Sequence, residues 1–277
     1  MATGAILIRR ALLAGLLIGL ALAGGGARAE VILTGPEGMQ RSMTRLAPLV
    51  SARTGIKLRI IPGEERILLS KIAQGNIPFA ILCRHVGDAE SAAVETHLLG
   101  HDGVAVIVNG RNPVTGLSSL QLKDIYAQRL ASWREAGGAA KPIVRVVKDT
   151  RALPAVAARW LPALSSRPAP GTHVVNDDLP AILFVAVDPY AIGYVGVAEA
   201  TRLIQEGARV RAIAIDGNLP TPAHLRSGAY PIAWPVQLVS ARKLSEAELR
   251  LQAFLLTPEG RRALAEAGVL VAEEEGP

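Results

Sequence analysis

Between residues 31 and 85 the chain alternates short apolar runs with helix-period segments, and this stretch narrows the choice of fold more than any other. Val31-Ile32-Leu33 reads as a strand and breaks at Thr34-Gly35-Pro36-Glu37-Gly38. Met39, Met43, Leu46 and Val50 then recur at helical spacing. Leu58-Arg59-Ile60-Ile61 is a second strand, closed by Pro62-Gly63, and a second helix starts near Glu64-Glu65 and stops at Gly75. Phe79-Ala80-Ile81-Leu82 is a third strand, and Cys83-Arg84-His85 leaves its end. Strands that alternate with helices imply right-handed crossovers and a parallel sheet. In such sheets a ligand sits beyond the carboxyl ends of the strands. Three loops converge there, at residues 34–39, 63–66 and 83–85, and together they read as half of a binding cleft.

The chain has 277 residues, enough for one large or two modest domains. Its first 29 residues read as a signal peptide. Arg9-Arg10 form the positive region, residues 11–23 the apolar region, and Ala27-Arg28-Ala29 a small-residue cleavage site. The apolar run is shorter than the roughly 20 residues of a membrane span, and no cysteine lies near the cleavage site, so a lipoprotein is not expected. Without the three arginines of that segment the chain keeps 27 basic residues against 24 acidic, a net charge of +3. That mild, scattered excess, with few aromatics, is not the footprint of a nucleic-acid binder. Cys83 is the only cysteine, so no intrachain disulfide can form.

Further along, Val104-Ala105-Val106-Ile107-Val108 is a strong strand, and residues 109–113 form the first crossing between two lobes. Ser118 and Gln121 fit a capping box. Pro142-Ile143-Val144-Arg145-Val146-Val147 is a strand that ends in Lys148-Asp149-Thr150-Arg151, and a helix is expected from Pro154 toward Trp160. Asn176-Asp177-Asp178-Leu179-Pro180 starts a helix. Residues 191–196 and 210–215 are strands, with a helix near 198–205 between them, and residues 217–228 are loop. Residues 230–239 form a long strand and a second crossing, and two helices from Ser245 and Thr257 end the chain ahead of a Glu-rich tail. Lobe 1 therefore spans 30–108 and 230–277, and lobe 2 spans 109–229. Two lobes joined by two crossings suit closure around a ligand by a hinge.

The order of several segments resembles the phosphate-type solute-binding proteins of ABC transporters. Residues 117–133 are similar to that family's "Leu-Thr-x-x-Gln-Leu … Trp" segment, Ala191-Ile192-Gly193-Tyr194-Val195 to its "Ala-Ile-Gly-Tyr-Val" strand, and Tyr230-Pro231-Ile232 to its "Tyr-Pro-Ile" crossing. Phe254-Leu255, Glu259-Gly260 and Gly268-Val269 are similar to its ending. The resemblance implies an α/β, two-lobed type II periplasmic-binding-protein-like fold, each lobe a mostly parallel sheet flanked by helices, with two crossing strands. The site departs from the family pattern. Where the family carries "Gly-Ser-Ser/Thr-Thr", this chain has Thr34-Gly35-Pro36-Glu37-Gly38-Met39, and Pro36 lacks an N–H. Gly63-Glu64-Glu65-Arg66 replaces a Ser/Gly-rich loop, Leu82-Cys83-Arg84 replaces "Ser-Ser-Arg", and Lys148-Asp149-Thr150-Arg151 lacks the family's "Gly-Ser-Gly-Thr".

The resemblance implies a ligand site of Thr34, Gly38, Met39, Glu64, Arg84, Asp149, Thr150 and Arg151. In that site Thr34, Thr150 and helix N–H groups donate to a small phosphate-like oxyanion, Arg84 and Arg151 neutralise charge, and Asp149 or Glu64 accepts a ligand proton. The expected protein is exported to the periplasm, monomeric and non-enzymatic, without cofactor, metal or nucleic-acid partner, and delivers its ligand to the permease of an ABC transporter. Glu37, Glu64, Glu65 and Asp149 would repel an anion unless paired. A second reading is therefore a degenerate homologue that binds another solute or a partner protein. A third is an exported hydrolase using Cys83 with His85, or Asp149 with His173. The five histidines show no metal-ligand spacing.

Overall fold

The computed structural model describes residues 29–148, 157–161 and 170–271. The first βαβαβ stretch forms as its pattern predicts. It comprises β1 (Glu30–Gly35), a 3-10 turn (Glu37–Met39), α1 (Gln40–Thr54), β2 (Lys57–Pro62), α2 (Glu65–Ala73) and β3 (Phe79–Leu82). Met43, Leu46 and Val50 form the buried stripe of α1, which ends where Gly55 adopts a left-handed φ of 71°. A short α3 (Asp88–Ser91) leads to β4 (Glu95–Asn109).

The middle of the chain supplies β5 (Gly116–Leu117), α4 (Ser119–Tyr126), β6 (Val144–Lys148), β7 (Thr172–Val175), α5 (Asp178–Val187), β8 (Ala191–Gly196) and α6 (Val197–Gln205). The capping box that starts α4 is present, with the Gln121 N–H donating to Ser118 Oγ at 3.1 Å and the Ser118 N–H to Gln121 Oε1 at 2.8 Å. Two short strands follow, β9 (Val210–Ala212) and β10 (Ala214–Ile215), where the sequence pattern predicts a single strand. The reason is a change of partner, since β9 pairs with β4 and β10 with β5. The segment read as loop contains α7 (Pro222–Arg226), capped by Thr221. The chain closes with β11 (Ala233–Ser240), α8 (Glu246–Leu256), α9 (Pro258–Glu266) and β12 (Leu270–Val271). The expected helix from Pro154 lies mostly outside the described residues, and its described part, Ala157–Arg159, is a 3-10 turn.

The strands form a curled, mixed ten-stranded sheet in the order β2-β1-β3-β11-β4-β8-β6-β7, with β9 and β12 also on β4. Two parallel blocks, β2-β1-β3 and β8-β6-β7, flank the antiparallel strands β11 and β4. Residues 104–108 are buried on both faces, which explains their unbroken apolar run. Strand β4 pairs with β11 from Glu95 to Gly103 and with β8 from Val104 to Val108. The partner change thus falls between Gly103 and Val104, ahead of residues 109–113. A Cβ on Gly103 would lie 2.7 Å from the Ile232 carbonyl oxygen, so this residue has to be small where the two crossing segments touch. The Val104 N–H donates to the Ile232 oxygen at 3.0 Å. The buried Tyr230 hydroxyl donates to the Val104 oxygen at 2.8 Å.

Removing that hydroxyl leaves a buried carbonyl short of a partner. Tyr230→Phe is expected to lower stability by about 1–2 kcal/mol, measured by urea unfolding. An unchanged midpoint would mean that the hydroxyl does not fasten the crossing.

Candidate functional site

A cleft of about 610 Å³ opens where the carboxyl ends of the parallel strands face one another. One wall is Glu37, Gly38, Gln40, Arg41, Ser42 and Arg45, from the turn after β1 and the start of α1, with Pro62 from the end of β2. The other wall is Lys148, the last residue of β6, then Asn176, Asp177 and Asp178 at the start of α5, and Gly196, Ala198 and Glu199 at the start of α6. Asp102 on β4 and Gly268 complete the lining. The first turns of α5 and α6 and the turn after β1 all end in the cleft, so it collects the N–H groups that precede the first intrahelical bond.

The cations here are already engaged. Lys148 Nζ donates to Asp178 Oδ1, and this pair is largely buried. Tyr194 Oη accepts from the Lys148 N–H at 3.1 Å and fixes the end of β6. Asp178 Oδ2 accepts from the Gly196 N–H at 3.2 Å. Arg41 donates to Asp177, which caps α5 by accepting from the Asp178 N–H at 2.6 Å. Burial works to raise the Asp177 carboxyl, but the Arg41 guanidinium and that N–H outweigh it and hold it below the usual range. Glu199 pairs with Arg202 at 2.7 Å and with Arg45 at 3.8 Å, and the Arg202 bond holds its carboxyl low. Asp102 behaves differently. Burial pushes its carboxyl up to about 7 against the lowering effect of the Gly103 N–H, and the nearby Asp178 charge adds to the rise while Lys148 opposes it. Among the described lining residues five carboxyl groups (Glu37, Asp102, Asp177, Asp178, Glu199) face three cations (Arg41, Arg45, Lys148), so a ligand meets a site rich in acceptors.

Of the residues implied by the resemblance, Gly38 lines this cleft and Asp149, Thr150 and Arg151 lie outside the described residues. Thr34 is buried within β1, opposite Ile61 and Ala80. Met39 packs into the core, and its N–H donates to the Pro36 oxygen at 2.9 Å. Glu64 is an exposed residue ahead of α2 that pairs with Arg66 at 3.2 Å. Arg84 donates to both carboxylate oxygens of Glu90, at 2.7 and 2.8 Å, and to the His85 oxygen. Thr34, Met39, Glu64 and Arg84 are thus not among the residues lining the cleft. At the third loop, Glu65 accepts from the Cys83 N–H at 2.7 Å, and burial raises the Glu65 carboxyl.

The proposed nucleophile fares poorly. Cys83 is buried, and burial first, then the Glu65 and Asp102 charges, push its thiol well above its ordinary value, opposite to an activated thiolate. Sequence reasoning missed Arg41, Asp102, Asp177, Asp178 and Gly196 as cleft residues. Asp177, Asp178 and Gly196 carry a usable signal, because each sits at a strand-to-helix junction, as residues 34–39 and 63–66 do. Asp102 carried none, since the polar start of β4 does not read as a strand.

The family model described as "PBP superfamily domain" matches residues 23–254. A curated relative, the phosphate-binding protein PstS of Bacillus subtilis (strain 168), is 27% identical over 175 residues, 61% of this chain. That match spans 55% of the relative, so the chain covers about half its length. Among solved structures, an ABC-type phosphate transport receptor from Vibrio cholerae superposes with a TM-score of 0.71 at 21% identity, covering 87% of this chain and 100% of that one. PstS from Borrelia burgdorferi superposes with a TM-score of 0.67 at 15% identity, covering 88% and 99%. At those identities the structural likeness speaks for the fold. With the family model covering most of its length, the chain belongs to the PBP superfamily.

Proposed function

We propose that this protein is an exported solute-binding protein that captures a phosphate-like oxyanion and passes it to the permease of an ABC transporter. The observation that carries this reading is the cleft at the strand ends, which Lys148, Arg41, Asp102 and the N-terminal turns of α5 and α6 line together. Lys148 Nζ, the Arg41 guanidinium, the Gly196 N–H and the N–H groups of Glu37 and Gly38 are the donors for ligand oxygens. Asp102, poised near neutral pH, accepts the proton of a hydrogen-phosphate when ionised or donates to an oxygen when neutral. The names of the relatives support phosphate as the first ligand to test. Export to the periplasm rests on the N-terminal segment, and no described helix is long and apolar enough to cross a membrane. A two-lobe division near the expected 30–108 with 230–277 against 109–229, but crossing within β4 at the Gly103–Val104 partner change and again around Tyr230, would supply the hinge. Turnover chemistry has no support from the buried Cys83.

A second reading keeps the fold and changes the solute. It is favoured by the excess of carboxyl groups among the described lining residues and by Glu65, which takes a backbone donor at the third loop.

Titration calorimetry with phosphate, arsenate and sulfate decides between them. Phosphate is expected to bind, and no heat or melting shift with any oxyanion would remove the first reading. Lys148→Ala should weaken phosphate binding at least about tenfold, the loss expected for a charge-assisted bond. Arg84→Ala should leave affinity within about twofold, because Arg84 does not line the cleft and its guanidinium lies on Glu90.

Asp102 also makes stability depend on pH. Its folded value of about 7 lies above the ordinary 3.8, so between these values the folded state holds more protons than the unfolded one. Stability should therefore fall as pH rises through this window, and the fall should be complete above about pH 7. Asp102→Asn should flatten the profile in urea unfolding. Parallel profiles for the two proteins would show that the carboxyl is not raised.

A further inference from the structure

We propose that Asp178 is a built-in competitor for the ligand, its carboxylate occupying the seat that a bound oxyanion would take. The inference rests on the oxyanion reading above. Strands β6 and β8 are neighbours in the sheet, so their carboxyl ends, Lys148 and Gly196, face the same point. Asp178 reaches both: one carboxylate oxygen lies on the Lys148 ammonium and the other accepts from the Gly196 N–H at 3.2 Å. Two oxygens held by a cation and a backbone donor at the start of a nine-residue helix is the arrangement an oxyanion seeks.

The seat is shaped for such a group. A Cβ built on Gly196 would lie 3.3 Å from Asp178 Oδ2, so any side chain there would crowd whatever oxygen sits on this N–H. Lys148 is only 8% exposed, and a buried ammonium needs a counter-charge whether or not ligand is present. In the structure Asp178 supplies it. An oxyanion that takes Lys148 must displace this carboxylate, so the observed affinity reports a difference between two charge-assisted sets of bonds. The exchange favours a dianion, which places more charge on Lys148 than the carboxylate it replaces.

The test compares the wild-type protein with Asp178→Asn and Asp178→Ser, titrated calorimetrically with inorganic phosphate and followed by thermal melting with and without it. Both variants should bind phosphate at least about tenfold more tightly than wild type. Phosphate should also raise their Tm by more than it raises that of wild type, an effect that loss of a merely structural ion pair does not produce. Adding Gly196→Ala to Asp178→Ser should cancel the gain. If the Asn variant does not fold, the Ser variant decides. Variants that bind while wild type does not would support the competitor and remove phosphate capture by the natural chain. Wild type that binds as tightly as the variants, or more tightly, would overturn the inference and leave the oxyanion reading standing. No binding by any of the three would overturn both.

Discussion

The pairing of β4 with two different partners is the constraint on which the rest depends. A fifteen-residue strand that holds β11 along its first part and β8 along its second ties the two parallel blocks into one sheet. Parallel strands point their carboxyl ends one way within each block. Curling the sheet about β4 turns those two sets of ends toward a common cleft, with Asp102 of β4 among its lining. The tight contact at Gly103 and the Tyr230 hydroxyl bond secure this geometry.

Within the cleft, electrostatics decides more than shape. Helix starts and the ends of β6 and β8 supply positive potential, and the chain answers it with its own carboxylates. Asp178 lies on Lys148, Asp177 on Arg41, Glu199 on Arg45 and Arg202. Asp102 is instead held near neutrality by burial, which outweighs the lowering effects of the Gly103 N–H and the Lys148 charge. Such a site is stable without ligand, because burying an unpaired Lys148 would be costly. Under the proposed competition, an incoming anion replaces Asp178 on Lys148, so selection would depend on charge and proton count as much as on fit.

Much of the fold was legible because local signals agreed with one another. The strands Val31-Ile32-Leu33 and Phe79-Ala80-Ile81-Leu82, the capping box at Ser118 and the helix starts at Ser245 and Thr257 are short-range features, and each formed close to its expected place. Errors arose where a distant partner overrode local pattern. The start of β4, with His97, His101 and Asp102, lacks an apolar run and is a strand because β11 lies beside it. Residues 210–215 split because β4 and β5 claim different parts.

The site was less legible than the scaffold, and Arg84 and Asp178 show why. Both follow a strand, and sequence supplies no measure of which partner each side chain will meet. Arg84 has Glu90 six residues on and folds back to it, whereas Asp178 meets Lys148 from thirty residues away. The sequence by itself determined the βαβ alternation, the cleft at the strand ends and the helix caps, because these follow from periodicity and backbone hydrogen bonding over a few residues. Only the tertiary structure decided which charged groups face one another in that cleft, because Coulomb interactions depend on distance in space and on exclusion of water, and neither is written in the order of the residues.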